Sequence, residues 1–175
     1  MAKATGKKPV EIISEPSDDA DSLPPRVAAM RDRILDACAK GDIEALRMPI
    51  DWNELRPLFE RSAHRALGES PIERLKALSF DGRGAETLAI LRAILRQSFV
   101  TVTNGPTILY VWPAFSVRSP IDPTPRQREQ MLACVRFADL ANPDFSGAPA
   151  PMEIAIGADG TWHYYWTSRP RNARG

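Results

Sequence analysis

The stretch IGADGTWHYYW, Ile156 to Trp166, sets four large aromatic side chains and a histidine in the five positions after a turn signal. Side chains alternate between the two faces of a strand, so the hairpin register decides which aromatics enter a core. A three-residue loop, Ala158-Asp159-Gly160 with Gly160 left-handed, pairs Gly157 with Thr161. Ile156 then faces Trp162 and Ile154 faces Tyr164. Trp162, Tyr164 and Trp166 share the isoleucine face, which is the core side, while His163 and Tyr165 join Ala155 and Glu153 on the other. A two-residue Asp159-Gly160 turn exchanges the sets, pairing Ile156 with His163 and Ile154 with Tyr165. The first register separates apolar from polar side chains and is the one expected.

A second hairpin lies upstream. Phe99-Val100-Thr101-Val102-Thr103 is rich in β-branched residues, Asn104-Gly105 is a turn signal, and Thr107 to Trp112 returns until Pro113 closes the strand. Before it the period is helical. Val27, Met30, Ile34 and Cys38 form a stripe that Gly41 ends, and Asp42 caps a short helix through Ile43 and Leu46 that Pro49 stops. The next helix is expected from near Pro57 through Leu58, Phe59 and Ala63 to Leu67 and Gly68. Ser70, Pro71 and Glu73 then sit at the N-cap, N1 and N3 positions of another, with Ile72, Leu75 and Leu78 as its stripe. After the turn Asp81-Gly82-Arg83-Gly84 the pattern predicts a helix from Ala85 to about Gln97. Between the hairpins, Thr124-Pro125-Arg126-Gln127 opens one more, expected over Pro125–Leu140, and Pro143, Gly147, Pro149 and Pro151 mark a loop.

Helices first and strands later give an α+β fold. N-terminal helices should pack on a small C-terminal antiparallel sheet of two hairpins with one intervening helix, because a lone hairpin is marginal in water. Residues 1–22 lack periodicity and read as a disordered tail, 23–168 as one domain, and 169–175, with Arg169, Arg171 and Arg174, as a flexible basic tail.

Composition narrows the function classes. Twenty-three Lys and Arg against 22 Asp and Glu leave a net charge of +1 in 175 residues, without the basic excess of a nucleic-acid-binding domain. No window supplies the roughly 20 apolar residues of a transmembrane helix, and no apolar run follows the basic N-terminus. The chain as written is expected in the cytoplasm, with the cell envelope open if an export signal has been removed. Cys38 and Cys134 are far apart and read as buried hydrophobes, so neither a metal nor a cofactor is expected. Asp81-Gly82-Arg83-Gly84 lacks the second glycine and Lys-Ser/Thr of a P-loop and reads as an interhelical turn. Glu54, Glu60 and Glu69 with Arg56, Arg61 and Arg65 read as a mixed-charge helical face.

Candidate functional residues concentrate late in the chain. Six of the seven Trp and Tyr residues fall between 110 and 166, so Tyr110 and Trp112 with Tyr165 form a candidate stacking platform for a sugar, base or peptide. Aromatic clusters more often pack a core. His163, one of two histidines beside His64, would form a general acid–base pair with Glu153 if the strands join them. No nucleophile motif accompanies either histidine, so no catalytic residue is assigned.

Tyr110-Val111-Trp112-Pro113, Thr124-Pro125-Arg126-Gln127 and Ile156-Gly157-Ala158-Asp159-Gly160-Thr161-Trp162 resemble an uncharacterised family of bacterial proteins. Its members carry a Y-V-W-P strand and a C-terminal I-G-x-D-G-T-W hairpin. The resemblance spans Ser70 to Trp166, and it implies domain identity, an exported setting that this chain's N-terminus does not share, and no activity. The expected function is a non-enzymatic binding or interaction module for a protein partner or small ligand, with His163, Tyr165, Glu153, Tyr110 and Trp112 as candidate ligand-binding residues. The alternatives are a small hydrolase or transferase using His163 and Glu153 in an aromatic-lined cleft, or an accessory subunit docking through residues 1–22.

Overall fold

The computed structural model describes residues 10–60, 69–141 and 149–168. His64, Arg61, Arg65, Ala63, Leu67 and Gly68, the loop residues Pro143 and Gly147, the arginines of the C-terminal tail and residues 1–9 lie outside them.

The architecture is α+β. Among the described residues five antiparallel strands follow one another in space in the order β1-β2-β3-β4-β5: Glu11–Ile12, Val100–Asn104, Thr107–Trp112, Met152–Gly157 and Trp162–Thr167. The two expected hairpins are β2–β3 and β4–β5, joined through the pairing of Leu109 with Gly157 and Trp112 with Ile154. The fifth strand comes from the stretch read as a tail. Ile13 N–H donates to Thr101 O at 2.9 Å, the Ser14 hydroxyl accepts from Thr101 N–H at 2.8 Å, and Ser17 and Phe99 exchange backbone bonds at 2.8 and 2.9 Å. A polar segment without periodicity thus gains order by satisfying the edge of a sheet rather than by burying a stripe.

Among the described residues seven α-helices accompany the sheet: α1 Pro25–Ala39, α2 Arg47–Asp51, α3 Pro71–Leu78, α4 Ala85–Ile94, α5 Ala114–Val117, α6 Pro125–Leu132 and α7 Phe137–Leu140. The first four precede the hairpins. Val27, Met30, Ile34 and Cys38 of α1 and Leu88, Leu91 and Ile94 of α4 pack with Ile72 and Leu75 against Trp112, Met152, Ile154, Ile156, Trp162 and Tyr165 of the sheet. Burying one such aliphatic side chain is worth about 1.5–3 kcal/mol. The opposite sheet face carries Val100, Val102, Leu109, Val111 and Ala155, with Ala114 of α5 against them.

Local expectations fare unevenly. Asp42 caps a 3₁₀ turn at Ile43–Leu46, but Pro49 does not stop the chain there. It occupies the first turn of α2, where its missing N–H costs no helical bond. Ser70 and Pro71 begin α3 as expected, although the Ser70 hydroxyl makes no cap bond. Thr124 and Gln127 form the full capping box of α6. The helix expected over Pro125–Leu140 breaks after Leu132, because Cys134 turns inward, is fully buried and accepts from Met152 N–H at 2.7 Å. Of the helix expected from near Pro57 to Gly68, the described part, Pro57 to Glu60, is an extended strap, and the rest lies outside the described residues. Leu58 bridges β5 in parallel, donating to His163 O at 2.9 Å and accepting from Tyr165 N–H at 2.9 Å.

The opening stretch combines both of its candidate registers. Gly157 N–H donates to Thr161 O at 2.8 Å and Gly160 has φ +89°, so the loop is the three-residue one, and Ile156 faces Trp162. A β-bulge follows. Ala155 pairs with Tyr164, Ile154 with Tyr165 and Glu153 with Trp166, and His163 is the extra residue. The core aromatics of β5 are therefore Trp162 and Tyr165, both fully buried, while Tyr164 and Trp166 stack at 3.9 Å on the outer face. The expected grouping of Trp162, Tyr164 and Trp166 fails because one inserted residue reverses every later side chain.

A Cβ at Gly160 would stand 2.9 Å from Arg26 O in a left-handed backbone, whereas one at Gly82 (φ +63°) meets nothing within 4 Å. Gly160→Ala is expected to lower unfolding stability in urea by about 1–3 kcal/mol, and Gly82→Ala by about 1 kcal/mol. Equal losses would mean that the turn tolerates displacement from α1.

Candidate functional site

The five candidate residues do not share one site. Trp112 and Tyr165 are fully buried in the helix-side core. Tyr110 is half-buried and tilts against Phe99 with ring centroids 6.0 Å apart. Glu153 is buried on the outer face, and His163 sits at the bulge near the hairpin turn.

Glu153 is the centre of a polar network rather than half of an acid–base pair. The Tyr164 hydroxyl donates to Glu153 Oε1 at 2.7 Å, and the Ser116 hydroxyl lies 2.8 Å from Glu153 Oε2 and 2.8 Å from Pro113 O. A buried carboxylate is costly unless donors meet it, and these two tie β4, β5 and α5 together. Tyr164 reaches Glu153 only because the bulge turns it outward.

His163 instead faces its own turn. A Cβ placed on Gly157 would stand 2.7 Å from both His163 Nε2 and Asp159 Oδ1, so glycine is what leaves room for the imidazole. Asp159 Oδ1 accepts from Thr161 N–H at 2.9 Å, which holds its carboxyl below the usual range. Burial pushes the His163 imidazole below its ordinary value, and Asp159 offsets this only in part. Nε2 is buried and has no hydrogen-bond partner among the described residues.

The remaining titratable groups of the interior are chemically quiet. Burial pushes the thiols of Cys38 and Cys134 up to about 12, so neither is a thiolate nucleophile at neutral pH. Burial also raises the Tyr165 phenol, whose hydroxyl has no partner among the described residues. The amides opening α4 are taken internally: Ala85 N–H donates to Asp81 Oδ2 at 3.2 Å and Glu86 N–H to Ser79 Oγ at 3.1 Å. An anion finds no free amide cradle in those two groups, and the turn reading of Asp81-Gly82-Arg83-Gly84 stands. Among the described residues no group of three or more His, Cys, Asp or Glu side chains is placed to hold a metal ion, and no helix is long and apolar enough to cross a membrane.

A different surface has the shape of a site. A groove of about 320 Å³ is lined by Phe59, Leu78, Met152 and Trp166, with Glu60, Arg74, Arg136 and Thr167 completing it. Arg74 pairs with Glu60, and Arg136 makes two bonds to Asp139 at 2.9 and 3.0 Å. The flanking surface is aromatic. Phe80, two residues beyond Leu78, and Phe137, next to Arg136, meet with centroids 5.4 Å apart while remaining 68% and 57% exposed. Glu86 joins the two segments by accepting from Phe80 N–H at 2.8 Å and from Phe137 N–H. Sequence reasoning missed this surface because its residues come from the strap, α3, α7 and both strands of the last hairpin. The one signal was Trp166, which the unbulged register sends into the core.

No family model matches the chain, and comparison with curated proteins and with solved structures finds no significant match.

The contrast between two neighbouring tyrosines tests this geometry. Tyr165→Phe removes a buried hydroxyl that has no partner among the described residues and is expected to hold or raise stability, by about 1 kcal/mol. Tyr164→Phe strips a donor from Glu153 and is expected to cost about 1–3 kcal/mol. Chemical denaturation of both variants gives the comparison, and a destabilised Tyr165→Phe contradicts the isolation of that hydroxyl.

Proposed function

We propose that this chain is a non-enzymatic protein-interaction domain whose binding face is the groove between Phe59 and Trp166, extended by the exposed Phe80–Phe137 pair. The observation that carries the reading is this aromatic and aliphatic surface. Phe80 and Phe137 are large, tilted against each other and open to solvent, and each lies within two residues of a side chain lining the groove, Leu78 or Arg136, whose floor is Phe59, Leu78, Met152 and Trp166. Bulky aromatics at the surface beside a pocket are the usual anchors of protein recognition. The two arginines on the groove are each compensated by a carboxylate, so the ligand that suits it is an extended peptide with apolar anchors rather than a free anion.

The alternative of a hydrolase or transferase working through His163 and Glu153 draws no support from their placement. The Glu153 carboxylate is engaged by two hydroxyls on the outer face, and the imidazole stands beside Asp159. The resemblance of Tyr110–Pro113 and Ile156–Trp162 to bacterial proteins of no assigned activity bears on domain identity and carries no mechanism to this chain.

Peptides selected from a random phage-displayed library on the immobilised domain, then synthesised and titrated by calorimetry, test the reading. Trp166→Ala and the double variant Phe80→Asp, Phe137→Asp are each expected to weaken the selected peptides by at least about tenfold. Ile121→Ser, changing a fully exposed loop residue, should leave them unaffected. Selected peptides that bind all variants equally place the interface elsewhere.

A further inference from the structure

One wall of the groove, Phe59 and Glu60, belongs to the strap, whose backbone bonds to β5 among the described residues are those of Leu58: its N–H on His163 O and its C=O on Tyr165 N–H, both at 2.9 Å, with Asn53 Oδ1 accepting from Trp162 N–H at 2.8 Å and Arg74 pairing with Glu60. Phe59 then leans on Trp162 edge to face, with centroids 5.8 Å apart. One of the two Leu58 backbone bonds ends on the extra residue of the bulge, the least regular point of the ladder.

That same residue carries a side chain suited to a change of charge. His163 Nε2 is sealed against Gly157, and among the described residues it has neither donor nor acceptor. A proton there creates a cationic donor with nothing to receive it in the present geometry. Asp159 lies within reach of a ring movement, but its Oδ1 already holds the Thr161 N–H, and reaching it or water draws the imidazole off Gly157. Among the described residues the charged groups on the surrounding segments are Asp159 on the turn, Arg26 on α1 against Gly160, and Glu54 and Arg56 ahead of Leu58. Of these, Asp159 is the one whose charge acts on the imidazole.

We infer that His163 is a proton-operated latch: its protonation loosens the bulge, releases Leu58 from β5 and opens the Phe59–Glu60 wall of the groove. The inference rests on the reading of that groove as the binding face, and it names how access to it is regulated. The sign follows from burial. A neutral imidazole is favoured in the folded state, so its contribution to strap closure is complete above the ordinary histidine value and is lost as the pH falls through the lower folded one. Asp159 favours the proton, so removing its charge should shift release to more acid conditions.

Amide hydrogen exchange of the free protein, read residue by residue by NMR, tests the latch without any ligand. Between about pH 7.5 and about pH 5, after correction for intrinsic exchange, the Leu58 and Tyr165 amides of the wild type should lose at least about tenfold protection relative to Ile154. His163→Gln should abolish that pH dependence, and Asp159→Asn, which retains an acceptor for Thr161, should move it to lower pH. Protection that ignores pH, that falls equally in His163→Gln, or that shifts upward in Asp159→Asn overturns the inference. Because no peptide is present, failure here leaves the binding face untouched, and failed peptide binding leaves the latch untouched.

Discussion

Glu153 has to be buried with donors, and that requirement fixes the last strand. On the outer face of the sheet its carboxylate meets the hydroxyls of Ser116 and Tyr164 at 2.8 and 2.7 Å. Without the bulge, Tyr164 would point to the helices opposite Ile154, and its phenol would leave the carboxylate. A single inserted residue, His163, keeps the tight turn and the Ile156–Trp162 pair at one end while turning Tyr164 outward at the other. The carboxylate's desolvation, costly when unmet, is thus the counterpart of a bulge that disrupts one step of the ladder.

Much else follows from that inserted residue. Tyr165 enters the core in place of Tyr164, and its hydroxyl arrives where no described residue partners it. Trp166 emerges beside Phe59 and becomes part of the groove floor instead of the core. Trp162 N–H is taken by Asn53 Oδ1 at 2.8 Å, and Asn53 Nδ2 in turn donates to Pro49 O at 2.9 Å, tying the segment after α2 to the hairpin. The strap between Asn53 and Glu60 is drawn along β5 by the same irregularity, since His163 O and Tyr165 N–H present themselves to Leu58.

The α+β class, both hairpins, the three-residue turn and the stripe of α1 were legible because each is written in local pattern: glycine at a left-handed position, apolar residues at helical spacing. The bulge was not, since the bond it permits, Tyr164 to a Glu153 also met by Ser116 from 37 residues away, is a tertiary meeting that no periodicity encodes. The strand at Glu11–Ile12 escaped for a related reason: its order comes from the free edge of β2 and from the Ser14 hydroxyl. Pattern reading finds elements that bury a stripe and overlooks those that satisfy a neighbour's backbone. Of the site, Trp112 and Tyr165 proved to be core and Glu153 a network centre, while Phe59, Arg74, Phe80 and Arg136 carried no motif that marked them.

The central claim is that the hairpin holds one register next to its turn and another beyond His163. Cross-strand nuclear Overhauser effects in isotope-labelled protein measure this directly. The account predicts contacts of Ile156 with Trp162, Ile154 with Tyr165 and Glu153 with Trp166. Contacts of Ile154 with Tyr164, or of Ile156 with His163, would show a continuous ladder without a bulge and contradict it.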